Sequence, residues 1–200
     1  MKIIYIHGLG GAKNTSQTYI ELNKVFGKEH IVLAPEVPHN PLEASKWIKD
    51  YLNEEKPDIL LASSMGGFIL LSSLYDCKMI VINPAIGGFD DMINAFGMGY
   101  QGEFDLGRSN GELKFTLDNK YYDDLKVVTN TYHNKLLNNE IKRKYPIYGI
   151  FSFEDEFFHH SKEFKKYYGN NYKMIHDSHS ISINSINEYV VPIVKELLEQ

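Results

Sequence analysis

Three stretches of this chain carry the residue types that acyl transfer requires. The first is Ile59-Leu60-Leu61-Ala62-Ser63-Ser64-Met65-Gly66-Gly67. A short apolar run, the length of a buried strand, breaks at small residues and continues into Phe68-Ile69-Leu70-Leu71, which reads as a helix. A strand that turns sharply into a helix brings two backbones together. It forces the apex residue into a strained conformation with its side chain held out. Ser64 would occupy that apex, with Ala62 and Gly66 two residues away on either side. This is the G-x-S-x-G spacing with Ala62 in place of the first glycine. The bland alternative is a strand–turn–helix whose serines only cap the helix.

A serine hydroxyl is a poor nucleophile near neutral pH. It needs a base to take its proton and a carboxylate to orient that base. The second stretch, Glu154-Asp155-Glu156, follows an apolar strand and supplies acids; the third, His176-Asp177-Ser178-His179, follows another and supplies the base. Asp155 is the preferred acid, with Glu154 and Glu156 as open rivals. His179 is preferred to His176 because it lies farther into its loop, where it can swing over the strand ends. His159 and His160 read as surface or capping residues at a helix start, and His39 and His133 have no evident partner. A metal site built from His176, Asp177 and His179 is a weak rival, since spacing alone is a loose requirement.

Developing negative charge on the substrate needs two backbone N–H donors. Met65, the residue after the serine, would give one. The glycine-rich loop His7-Gly8-Leu9-Gly10-Gly11 would give the other, through Leu9. His7 would shape that loop.

The composition agrees with a globular protein. Two hundred residues suit one domain, 1–200, with an insertion at roughly 86–122. Acidic residues outnumber basic ones, 26 to 21, so the net charge of -5 argues against a nucleic-acid partner. One cysteine, Cys77, cannot form an internal disulfide, which fits a cytoplasmic location; its expected role is a small core residue. No segment approaches the length of a membrane span, so no membrane partner is expected.

The elements that must position these residues alternate strand and helix. Strands are expected at Ile3–Ile6, Ile31–Leu33, Ile59–Ala62, Met79–Ile82, Pro146–Phe151 and Tyr172–Ile175. Helices are expected from Ser16 to Phe26 with Tyr19, Leu22, Val25 and Phe26 inward, from Pro41 to about Leu52, and from Met65 to Tyr75. Others run from about Tyr121 to Asn138, with Leu125, Val128, Tyr132, Leu136 and Leu137 inward, and around His160–Tyr168. A closing helix runs through Ile183 to Leu198 and is kinked or restarted by Pro192. Such alternation calls for right-handed crossovers and a parallel sheet, whose ligands bind beyond the strand carboxyl ends. Between Ile86 and Asn119 the pattern breaks into frequent glycines. A short helix (Asp90–Phe96) and a hairpin turning at Asn110-Gly111, with Leu113, Phe115 and Leu117 alternating, are expected there. That insertion leaves the sheet near Ser64 and could form a lid. Phe89, Phe96, Tyr100, Tyr121 and Tyr122 are candidates to line a pocket, though such residues are more often core.

His7-Gly8-Leu9, the Ser63-Ser64-Met65-Gly66-Gly67 turn and His179 resemble an α/β-hydrolase. More closely, the chain is similar to the small bacterial YqiA-like esterases. Asn83-Pro84-Ala85, Tyr121-Tyr122-Asp123-Asp124-Leu125, Asp155-Glu156 and the Tyr189–Leu198 ending support that likeness. The resemblance implies a mostly parallel sheet flanked by helices, with a small lid-like insertion. It also implies a Ser64–Asp155–His179 triad with Leu9 and Met65 as oxyanion donors. The activity implied is hydrolysis of short acyl esters or thioesters through an acyl-enzyme, without a cofactor. A non-catalytic binding protein on the same scaffold is the alternative.

Overall fold

The computed structural model describes residues 1–138 and 140–199. Six parallel strands form the main sheet: β1 (Lys2–Ile6), β2 (Ile31–Leu33), β3 (Ile59–Ser63), β4 (Lys78–Ile82), β7 (Ile147–Ser152) and β8 (Tyr172–Ile175). Their order is β2-β1-β3-β4-β7-β8. Two further strands, β5 (Tyr100–Glu103) and β6 (Lys114–Leu117), form a separate antiparallel hairpin.

The strands are short apolar runs because both faces of the sheet are covered. Along β1 and β3, alternate residues go to opposite cores. Ile4, Ile6, Leu60 and Ala62 pack under α2 (Pro41–Glu55), α3 (Ser64–Ser73), α5 (Asn119–Leu137) and α6 (Ser161–Tyr168), among Ile48, Phe68, Leu125 and Phe164. Ile3, Tyr5, Ile59 and Leu61 face α1 (Gln17–Phe26) and the closing α7 (Ile183–Ser185) and α8 (Val191–Glu199), among Leu22, Ile186 and Val194. Burying each such aliphatic side chain contributes about 1.5–3 kcal/mol. α3 is inward on nearly every side, as its unbroken apolar run requires.

Local chemistry sets the ends. Ser16 caps α1 by accepting the Tyr19 N–H at 3.1 Å. Asn40 caps α2 and accepts from Leu42 and Glu43, leaving Pro41 at the first turn, where no N–H is needed. The closing helix restarts at Pro192, with α8 beginning at Val191. A π-helical turn, Ile186–Val190, precedes it, and the Val191 N–H bonds Ile186 O instead of the carbonyl four back.

Two inward assignments from periodicity fail. Val25 and Leu137 are 37% and 65% exposed, while Glu21 is buried on α1. The hairpin exists, but Asn110-Gly111 turns a longer loop; Phe104 N–H still bonds Leu113 O beyond the paired strands. The short helix of the insertion, α4, spans Phe89–Phe96.

Candidate active site

Parallel register brings four strand ends level. Ser63 pairs with Ile82, Ile82 with Ile150, and Ser152 with Ile175. Ser64, Asp155 and His179 each follow one of these ends.

Ser64 has φ of +53°, a left-handed conformation that costs a non-glycine residue on the order of 1–3 kcal/mol. Packing holds it there: the Ala85 N–H bonds Ser64 O at 3.1 Å. Ala62 does not prevent the turn. Gly66 is the residue without slack, because a Cβ there would lie 2.1 Å from His7 O at the end of β1. At Gly8 an added Cβ would come within 2.9 Å of the Ser64 Cβ. The glycine loop and the serine turn are therefore in contact.

Of the three acids, only Asp155 meets the His179 ring. The Nδ1 of His179 lies 3.0 Å from both Asp155 carboxylate oxygens. Asp155 also accepts the N–H groups of Phe157 and Phe158, at 2.8 and 3.0 Å. Burial would push this carboxyl up; the His179 bond and the two N–H donors outweigh it and hold it below its ordinary value. Glu154 instead pairs with exposed His176 at 2.8 Å, and Glu156 accepts the His179 backbone N–H at 3.1 Å. Asp177 accepts from Ser178 and Ser182. His176, Asp177 and His179 thus point to three different partners, and no metal-binding cluster occurs among the described residues.

Phe157 and Phe158 meet the His179 ring edge to face, with centroids at 5.0 and 5.1 Å. The Asp155 carboxylate can only accept, so Nδ1–H is the donor and Nε2 is the nitrogen free to take a proton. Ser64 and His179 line the same two cavities, with no hydrogen bond between them in this structure. Such contacts are often long before substrate binds.

His7 is buried and shapes its loop. Its Nε2 accepts the Val37 N–H at 3.4 Å, so Nδ1 carries the proton and donates to Gly8 O at 2.9 Å. Burial lowers its affinity for a second proton, which keeps the ring neutral. Among the described residues no backbone acceptor takes the Leu9 N–H. Met65 lies in the first turn of α3, where N–H groups have no helical partner.

Several residues of the site escaped sequence reasoning. Asn83, with φ of +42°, ties three strand ends together. Its side chain accepts the Ser152 N–H at 2.8 Å and donates to Ser152 Oγ and to His179 O, both at 2.9 Å. An asparagine just past a strand and before proline was the available signal. His160 is neither a surface residue nor a side-chain cap. It is half-buried, with Nε2 at 2.6 Å from Asp91 on α4. His133 bonds Ile86 O at 2.9 Å, and His39 is held among the rings of Phe104, Phe115 and Tyr121. Of the aromatic candidates, Phe96 and Tyr100 line the cleft beside Ser64. Tyr121 lines a smaller cavity of about 40 Å³ behind the glycine loop, and Phe89 and Tyr122 pack on each other. Cys77 is buried, with its thiol pushed up to about 11 by desolvation.

The chain belongs to UPF0227, described as an uncharacterised protein family, which it matches over residues 2–198. No curated protein matches it. Solved structures do. One, from work on LipS and LipT, two metagenome-derived lipolytic enzymes, has a TM-score of 0.64 at 18% identity, covering 100% of this chain and 94% of that one. The ydeN gene product from B. subtilis has a TM-score of 0.63 at 12% identity, with 100% and 99% covered. YbtT, a type II thioesterase from the Yersiniabactin NRPS/PKS biosynthetic pathway, has a TM-score of 0.60 at 10% identity, with 99% and 93% covered. These likenesses establish the fold as that of an α/β-hydrolase.

Proposed function

We propose that this UPF0227 chain is a serine hydrolase, an esterase or thioesterase acting on small acyl substrates. The observation that carries the reading is the pairing of His179 with both oxygens of buried Asp155, in the cleft that strained Ser64 also lines.

The steps follow from that geometry. Ser64 Oγ attacks the acyl carbon while His179 Nε2 takes its proton. Asp155 holds the ring tautomer and stabilises the imidazolium. The N–H groups of Leu9 and Met65 stabilise the tetrahedral oxyanion. The bond to the leaving oxygen or sulfur breaks, and His179 returns the proton to it. Water then repeats the sequence on the acyl-enzyme and releases the acid. No step needs a cofactor. Residues 86–122, an insertion in one domain, act as the cover of the site. Excess acidic charge suits a partner other than nucleic acid, and the single buried thiol suits the cytoplasm.

A second reading, a binding protein on this scaffold, draws on the missing Ser64–His179 hydrogen bond. A fluorophosphonate probe and p-nitrophenyl acetate separate the two. The hydrolase reading expects Ser64 to be labelled and turnover to vanish in Ser64→Ala. An unlabelled Ser64 favours the binding protein.

A further inference from the structure

The cleft has two compartments, one with more aromatic rings and one with more hydroxyls, which share Leu9, Ser64, Asp105, His179 and Ser180. The first, about 260 Å³, lies under the hairpin and is walled by Phe96, Tyr100, Phe115 and Phe157. Its rings pack on one another, with Phe96 5.0 Å from Tyr100 and 5.4 Å from Phe157, centroid to centroid. The second, about 310 Å³, lies beside the start of α1 and is walled by Tyr5, Ser16, Thr18, Ser63 and Ser180. Both are near the lower end of ligand pockets, roughly 300–1,000 Å³, so each suits a small group.

The hydroxyl wall is built and has spare capacity. Tyr5 is 3% exposed, and its hydroxyl lies 2.6 Å from Ser63 Oγ. Two hydroxyls sharing one hydrogen bond leave one O–H hydrogen for another partner. Thr18 is 8% exposed and lines the compartment, and its hydroxyl makes no hydrogen bond among the described residues. Ser16 Oγ already serves the Tyr19 N–H, while the preceding N–H groups of the first turn have no helical acceptor.

Charge narrows the occupant. Among the described residues neither compartment is lined by lysine or arginine, whereas Asp105 lines both and Glu103 lines the aromatic one. An anionic group brings acceptors only and would face Asp105. A polyol brings donors for Asp105 and the serine oxygens, and acceptors for the free O–H and N–H groups.

We propose, on top of the serine-hydrolase reading, that the substrate is a neutral bipartite ester. A short apolar acyl group sits under the hairpin, and a polyhydroxylated alcohol, a glycerol or monosaccharide unit, sits beside α1. Thr18 and Tyr5 select the alcohol, and Phe96 selects the acyl group. Attack by Ser64 breaks the bond to the alcohol oxygen, and the polyol leaves with the proton relayed by His179.

The test compares glyceryl 1-butyrate with n-propyl butyrate, which share an acyl group and differ in two hydroxyls. An anionic glycerophosphate butyrate is the third substrate. Wild-type kcat/KM should favour the glyceryl ester by about tenfold and disfavour the anionic ester. Thr18→Val should shrink the glyceryl preference severalfold, and Tyr5→Phe provides the second variant if the first does not fold. Phe96→Ala should erase the preference for butyryl over acetyl. Equal rates for the two neutral esters, faster turnover of the anionic one, or a preference untouched in both hydroxyl variants overturns the inference. If the fluorophosphonate still labels Ser64 in that case, serine hydrolysis stands and only the substrate class falls.

Discussion

The strand-end rim and the excursion that covers it are held in different ways. At the rim, backbone geometry does the placing. Parallel register levels the ends of β3, β4, β7 and β8, and close contact fixes the Ser64 turn against β1. The excursion from α4 to α5 is tied down mainly by side chains. His160 reaches Asp91, Tyr122 donates to Met92 O and Gly97 O, and Arg108 pairs with Glu36 at 3.2 Å. Among the described residues one backbone bond, Asp105 N–H to Gly10 O at 2.9 Å, joins the hairpin loop to the glycine loop. Backbone placement tolerates little change, whereas side-chain ties can be cut singly. The rim therefore suits chemistry and the excursion suits selection.

The comparison breaks first at the rim. Asp155→Asn should keep the fold and lower kcat by about 10⁴-fold, because the His179 tautomer loses its acceptor. Steady-state rates with circular dichroism check this, and a loss below tenfold would mean that the acid lies elsewhere.

Two glycines sharpen the contrast in stability. Gly66→Ala drives a methyl into His7 O and should cost about 3 kcal/mol or more in urea unfolding. Gly102→Ala on the hairpin meets Phe115 Cζ at 2.3 Å, a side-chain ring and not backbone. About 1 kcal/mol is expected there. Equal costs would remove the distinction between the two regions.

How much could be read in advance follows the same division. The strand–Ser64–helix turn is written in adjacent small residues, and the sheet strands are written in short apolar runs. Asp155 could not be separated from Glu154 and Glu156, because one step along a loop re-aims a side chain and no period governs loops. Asp91 and His160 are 69 positions apart, so only the assembled fold reveals their bond. Val25 and Leu137 obeyed the period yet are exposed, because the period alone does not show how far a neighbouring element extends over a helix.

Asn83→Ala sits between the two regions. It leaves the buried Ser152 N–H without its acceptor and releases His179 O. A loss of about 1–3 kcal/mol is expected in thermal or urea unfolding, along with lower kcat. Unchanged stability would show that other groups align the strand ends.

The smallest effect concerns the tie to α4. Burial would lower the His160 pKa, but Asp91 at 2.6 Å, helped by Glu163 at 3.7 Å, raises it above the ordinary histidine value. A raised folded value means that this stabilisation is complete below about pH 6.5. It fades as pH climbs through the raised value. His160→Gln should lower the melting temperature at pH 6 by a few degrees and flatten its dependence on pH above neutrality. A variant that keeps the wild-type dependence would show that other groups govern it.

The most direct test of the central claim is mass spectrometry of the protein after a fluorophosphonate reaction, with wild type, Ser64→Ala and His179→Ala side by side. The account predicts one adduct, on the peptide containing Ser64, absent in Ser64→Ala and much slower in His179→Ala. An adduct on another residue, or equal labelling of wild type and His179→Ala, would contradict it.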